Sequence, residues 1–239
     1  MEYGDSEAAM KALRDFYPAR AIEVMQVLVG ENKKVKKIVD WREQQMVKFI
    51  LSLTYSVDEL MQGFIQKRIW KLAWAARNLL ELSVWIAYCD LSIAKAKQFR
   101  DDSARDMLGV SKTIQEQMVA NYGAPSEELE KVTKALIEMA DRTFGVPGMK
   151  DDYTRVSNAA KELKIDRDFA HANKLMSKYA HPTAISLNSA LPSSAVFDAD
   201  IRNMFLSEGA EYAIKSLTIL RNRVARYFPD VEKQQSAVK

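Results

Sequence analysis

Arg77 and Glu81 are the only charged residues between Lys71 and Asp90, in a run that otherwise reads Leu-Ala-Trp-Ala-Ala-Arg-Asn-Leu-Leu-Glu-Leu-Ser-Val-Trp-Ile-Ala-Tyr-Cys. Four residues apart, they share a helical face with Trp70, Trp74 and Tyr88. Charge inside so apolar a stretch is costly unless it pairs or meets another polar group. Two chemistries follow. The pair can be an internal ion pair that sets helix register. Alternatively, Glu81 orients a guanidinium held ready for an anionic or carbonyl group.

A partner for this pair is expected downstream, in Ser177-Lys178-Tyr179-Ala180-His181-Pro182. Pro182 disfavours helical geometry at the preceding residue, so a helix should end at His181, beside carbonyls that favour an imidazolium. Lys174, Ser177 and His181 fall on one face, opposite Phe169 and Met176. A histidine so placed can serve as acid, base or phosphate donor near neutral pH. It can equally cap the last carbonyls and stabilise the turn into Pro182. His171 projects elsewhere and reads as a surface residue.

Other chemistries lack their residues. Two His and one Cys are too few for the usual zinc ligand sets, and there is no Gly-rich phosphate loop or nucleophile elbow. No metal and no cofactor are expected. With 35 Lys+Arg against 32 Asp+Glu the net charge is +3, too balanced for a protein governed by nucleic-acid electrostatics. The basic run Lys33 to Lys37 reads as a solvated face, and Arg221, Arg223 and Arg226 as complements to a helix dipole. The single Cys89 lies in an apolar stretch and reads as a core thiol in a reducing compartment. Leu72 to Cys89 has the length of a short membrane span, but Arg77, Asn78 and Glu81 lie near its middle, so no membrane span is expected. The chain reads as cytoplasmic.

The elements that must position these residues are helices. Hydrophobic residues make up 48% of the 239, while 8 Gly and 6 Pro favour long uninterrupted elements. Asp5 or Ser6 caps a first helix that Pro18 breaks or kinks, and a second runs from Ile22 to Val29 and stops at Gly30. A third follows Lys33, its apolar positions including Val35, Ile38, Phe49, Ile50, Leu53 and Val57. Ser56 to Glu59 forms a joint before a helix that runs through the Trp-rich stretch to about Phe99, with a break near Gly63. Met107 to Tyr122 forms another helix, closed by Gly123. Ser126 opens a helix with Leu129, Val132, Leu136, Ile137 and Ala140 on one side, ended by Phe144 to Gly148. Thr154 caps a short helix to Leu163, Asp166 caps the next, and Pro182 to Ala195 is a loop. Asp198 caps the last helix, which buries Ile201, Phe205, Ala213 and Leu217. The expectation is an all-α, multi-helix bundle of about seven or eight helices. Residues 1–32 read as an N-terminal extension, 33–229 as the bundle with a joint near 145–153, and 230–239 as a frayed tail.

Two stretches, Ala76-Arg77-Asn78-Leu79-Leu80-Glu81 and Ser177-Lys178-Tyr179-Ala180-His181-Pro182-Thr183, resemble an uncharacterised family of bacterial all-helical proteins, a domain of unknown function distantly similar to the HEPN superfamily. The resemblance spans Met46 to Phe228 and implies a HEPN-like helical bundle, often dimeric, of the kind found in toxin–antitoxin and phage-defence systems. Many members of that superfamily are metal-independent ribonucleases. Their signature is an Arg, four to six arbitrary residues, then a His. Here the positions for that Arg are Met176, Leu175 and Lys174, and a lysine does not reproduce the bidentate fork of arginine. Arg77 from another helix would have to supply the guanidinium.

Three functions are therefore expected in competition. In the first, the protein binds or cleaves RNA or a nucleotide, with Arg77 and His181 catalytic and Glu81, Asn78, Lys174, Ser177 and Tyr179 as contacts. In the second it is a non-catalytic, self-associating interaction or scaffold protein whose Arg-Glu-His cluster is structural. In the third, Trp70, Trp74, Trp85 and Tyr88 surround Arg77 in a small-molecule site, although such aromatics more often belong to the core.

Overall fold

Helix α4, Ile69–Leu91, carries the apolar run and is the axis of the molecule. Leu72, Ala73, Ala75, Ala76, Leu79, Leu80, Val84, Ile86 and Tyr88 are all buried, on several faces of the helix. A helix apolar on most sides must be enclosed by others. In the computed structural model, which describes residues 6–34, 41–124, 126–144, 154–181 and 195–227, α4 packs against α3 (Trp41–Ile65), α5 (Ile93–Tyr122), α7 (Val156–Glu162), α8 (Asp166–Ala180) and the last helix, α9 (Ala195–Tyr227). The amino-terminal helices α1 (Ser6–Lys11) and α2 (Tyr17–Lys34) lie against α9, and α2 also packs on α3. Helix α6, Glu127–Phe144, packs on α5 as a hairpin. The fold is an all-α, multi-helix bundle, with no strand among the described residues.

Where helices start and stop differs from the expected plan for local reasons. Pro18 neither ends nor separates the first helices: a π-helical turn, Ala12–Phe16, joins α1 to α2 with helical geometry on both sides. The widened turn lies where the proline ring would otherwise meet the carbonyl of Arg14. Helix α2 also continues through Gly30. Nine α-helices are described, and since α1 and α2 are joined they form eight rods.

The expected joint at Ser56–Glu59 is absent, and α3 runs through it with Ser56 and Val57 buried. The break expected near Gly63 falls three residues later, at Gln66–Arg68. There Lys67 adopts φ 55°, Arg68 N–H donates to Gly63 O at 2.9 Å, and Lys67 N–H donates to Phe64 O at 3.1 Å. That is a Schellman closure, with lysine where glycine is usual. Gly63 itself stays helical for a packing reason: a Cβ there would lie 2.9 Å from the backbone nitrogen of Leu72. A second closure of the same kind ends α7, with Lys164 at φ 62° and Ile165 N–H donating to Ala160 O at 3.0 Å.

Helix α4 stops at Leu91, not near Phe99. Ser92 is extended (φ −163°, ψ 162°), and its Oγ accepts the Lys95 N–H at 3.1 Å, so it caps α5. Met107 to Tyr122 is thus the distal half of one 30-residue helix, closed as expected by Gly123 at φ 76°. Ser126 caps α6 as expected, accepting the Leu129 N–H at 3.3 Å. Thr154 and Asp198 do not cap. The residue before α7 is Arg155, which makes no side-chain cap, and Asp198 lies inside α9. Asp166 is the first residue of α8, with Ile165 preceding it. Val35 to Lys37, the Gly145–Gly148 segment and the 145–153 joint, the loop 182–194 and the tail 230–239 lie outside the described residues.

Candidate functional site

Arg77 projects from the middle of α4 toward the end of α8, and the two segments singled out above meet there. Its Nε donates to Glu81 Oε1 at 3.1 Å and to Asn173 Oδ1 at 3.0 Å, a shared bond that fixes one edge of the guanidinium. Its Nη1 lies 3.0 Å from His181 Nε2, across 104 residues of chain. A guanidinium only donates, so in this arrangement Nε2 is the acceptor and a neutral imidazole carries its proton on Nδ1. The Arg77 and Glu81 side chains are 29% and 30% exposed, which leaves the group half wet rather than sealed in the core.

His181 reaches Arg77 because it has left the helix: its backbone is extended, at φ −114° and ψ 155°. Helical spacing therefore stops describing its direction one residue early. This is why the face drawn through Lys174, Ser177 and His181 is displaced. Asn173, not Lys174, meets the arginine, and Lys174 is exposed. Ser177 donates its hydroxyl to Asn173 O at 2.6 Å within its own helix, so that proton is already used. Tyr179 is buried with its ring against Phe205, centroids 5.5 Å apart, so it is a core residue and not a ligand contact. Asn78 faces away from the cluster, into a groove between α3 and α4. His171 is exposed.

Arg77 also borders a cleft of about 420 Å³ whose walls include Glu81, Trp85, Phe99, Asp106 and Arg155, within the size range of small-molecule sites, about 300–1,000 Å³. The Trp85 and Phe99 rings, with centroids 4.8 Å apart, form its apolar side. A polar relay beside it joins α4 and α5 to Thr154, two residues before α7, and reaches the cleft wall at Thr154 and Asp102. Tyr88 donates to Gln98 Oε1 at 2.9 Å, Gln98 Nε2 donates to Thr154 Oγ1 at 2.7 Å, and the Thr154 N–H donates to Asp102 Oδ2 at 3.1 Å. Lys95 pairs with Glu162 and lies over the Tyr88 ring, 5.1 Å from its centroid. Burial pushes the Tyr88 phenol above its ordinary value, and the bond to Glu162 raises the Lys95 ammonium.

Of the seven residues named from the sequence, the cluster gathers Arg77, Glu81 and His181. Asn173, Arg155 and Phe99 were missed, whereas Trp85, named among the aromatics around Arg77, does border the cleft. Asn173 stands four residues before Ser177 and eight before His181, a spacing that could have marked it. Arg155 and Phe99 had no signal, since their place depends on how α5 and α7 pack. Trp70 and Trp74 are not core: both are exposed, while Tyr88 is fully buried.

Among the described residues, no group of three or more His, Cys, Asp and Glu side chains is arranged to hold a metal ion, and no helix is long and apolar enough to cross a membrane. Comparison with protein-family models, with curated proteins and with solved structures finds no match to this chain.

Proposed function

We propose that this protein binds RNA and cleaves it by an internal transesterification, with Arg77 and His181 as the reacting pair. The observation that carries the reading is the 3.0 Å contact between Arg77 Nη1 and His181 Nε2, beside a cleft, with the far edge of the guanidinium already held by Glu81 and Asn173. An arginine held at Nε keeps the plane of its guanidinium set while a phosphate takes its Nη donors.

The step balances with these two groups and water. A phosphate oxygen competes for the Nη1 donor and frees the His181 Nε2 lone pair. That nitrogen takes the proton of a ribose 2′-hydroxyl, and O2′ attacks the adjacent phosphorus. Arg77 stabilises the extra negative charge on the non-bridging oxygens while the P–O5′ bond breaks. The products are a 2′,3′-cyclic phosphate and a 5′-hydroxyl whose proton comes from water, and the hydroxide so formed takes back the proton held on His181 Nε2. The test is total RNA incubated with purified protein in EDTA. We expect wild type to leave cyclic-phosphate ends and His181→Ala to leave the RNA intact. RNA left whole by wild type defeats the cleavage reading.

A second reading has its own observation. The bifurcated Nε bond ties α4 to α8, which is what a structural staple in an interaction or scaffold protein would do. It predicts that Arg77→Lys lowers stability and alters no reaction.

A further inference from the structure

We infer that the groove on the other side of Glu81 accepts one unpaired nucleobase, so that the substrate class is single-stranded rather than base-paired RNA; this rests on the RNA reading above. The groove, about 520 Å³ between α3 and α4, is bordered by Leu51, Tyr55, Trp74, Asn78, Glu81 and Trp85. Two of its aromatic rings are open to solvent, Tyr55 at 59% and Trp74 at 37%. The two rings are perpendicular with centroids 6.5 Å apart, so each keeps a face for a third ring. Glu81 and Trp85 border both this groove and the Arg77 cleft, so the two spaces meet across one carboxylate.

Charge decides what planar group fits. Among the described residues no Lys or Arg borders the groove, so none of them holds a phosphate there. An aromatic pocket with a carboxylate would ordinarily suit an organic cation. Here Arg77 lies 3.1 Å from Glu81 Oε1 and already compensates that charge. A neutral ring with hydrogen-bonding edges remains. Asn78 offers both an amide donor and an acceptor, and Glu81 accepts. A nucleobase in a duplex has its faces stacked and its pairing edge engaged, whereas an unpaired one has both available. With a phosphate on Arg77, the neighbouring base enters the groove, and stacking rather than backbone charge supplies the affinity.

The test uses a fluorescein-labelled, 2′-O-methylated six-nucleotide RNA, which cannot be cleaved, and the same sequence as a blunt duplex. Anisotropy titrations compare wild type with Trp74→Ala, Trp74→Phe and Tyr55→Ala, each checked for an unchanged melting temperature. We expect the single strand to bind about tenfold or more tightly than the duplex, and Trp74→Ala to lose about tenfold or more. Trp74→Phe, which keeps a ring, should stay within about threefold of wild type. Wild-type affinity in both alanine variants, or a duplex bound as tightly as the strand, overturns the inference. If wild type binds neither probe and leaves total RNA whole, the RNA reading itself is what has failed. If His181-dependent cleavage persists while Trp74→Ala binds normally, only the base groove is lost.

Discussion

Helix α4 carries two arginine–carboxylate contacts that differ in kind. Midway along it, Arg77 meets Glu81, Asn173 and His181 at a half-exposed edge. At its carboxy-terminal end, Asp90 receives Arg223 from α9: Nε donates to Oδ1 at 2.7 Å, while Nη2 lies 2.6 Å from the same oxygen and 2.9 Å from the Asp90 carbonyl. Only 6% of Arg223 is exposed. Both contacts bridge helices far apart in sequence. The Asp90 contact spends its guanidinium on carboxylate and backbone together and buries that arginine side chain, 7% exposed against 25% for the Asp90 side chain, which is the geometry of a staple. The Arg77 contact keeps its arginine side chain partly wet, 29% exposed, on a residue that borders a cleft. Burial and the use of each donor, not the presence of an ion pair, separate structure from site.

The sharpest way to break that contrast is to delete each arginine. Arg223→Ala removes a nearly buried guanidinium and three contacts to Asp90, whose side chain is 25% exposed. We expect about 2 kcal/mol of lost stability, the scale of hydrogen bonds lost to a charged group. Chemical denaturation read by far-ultraviolet circular dichroism checks it, and cleavage should be unchanged in the folded fraction. Arg77→Ala should cost only about 1 kcal/mol, because water reaches Glu81 and Asn173 once the arginine is gone. Its RNA cleavage should fall about a hundredfold or more, the scale of losing a donor to transition-state charge. Equal destabilisation by the two substitutions, with chemistry untouched, would make both contacts staples.

The contrast also shows what the sequence could convey. An arginine and a glutamate in an apolar helix announce an interhelical partner, and a histidine before a proline announces where a chain leaves a helix. Those two signals are local, and the structure brings their residues together. Arg223 reads locally as one of three basic residues suited to a helix terminus, and nothing nearby in sequence points to Asp90, 133 positions away. Trp70 and Trp74 read as core because hydrophobicity is local, whereas exposure depends on which side of α4 its neighbours leave open. Helix identity was legible and helix boundaries were less so. The break at Lys67 lacks the glycine that usually marks one, and Ser92 lies within a stretch whose helical pattern continues on both sides.

A third buried polar group gives the comparison a lower bound. Tyr17, in the first turn of α2, is 2% exposed, and its Oη has no hydrogen-bond partner. Thr54 is close enough to influence the phenol, but its own proton goes to Ile50 O at 2.9 Å, and no bond of acceptable geometry joins it to Tyr17. Where Arg223 is matched and Arg77 is partly wet, this hydroxyl is neither. Removing it should therefore help: Tyr17→Phe keeps the ring and should gain about 1 kcal/mol at neutral pH. Burial also holds the phenol well above its ordinary value. The folded state thus keeps a proton that the unfolded chain releases from about pH 10 upward. The contribution of the neutral phenol is complete below that pH and is lost as pH rises toward the folded value. Wild type should accordingly lose stability above about pH 10 faster than Tyr17→Phe, so the gap between them widens with alkalinity. Denaturation midpoints at pH 7 and at pH 10.5 measure it. A variant less stable than wild type at pH 7 would mean that the hydroxyl is satisfied, and that desolvation alone does not rank the three sites.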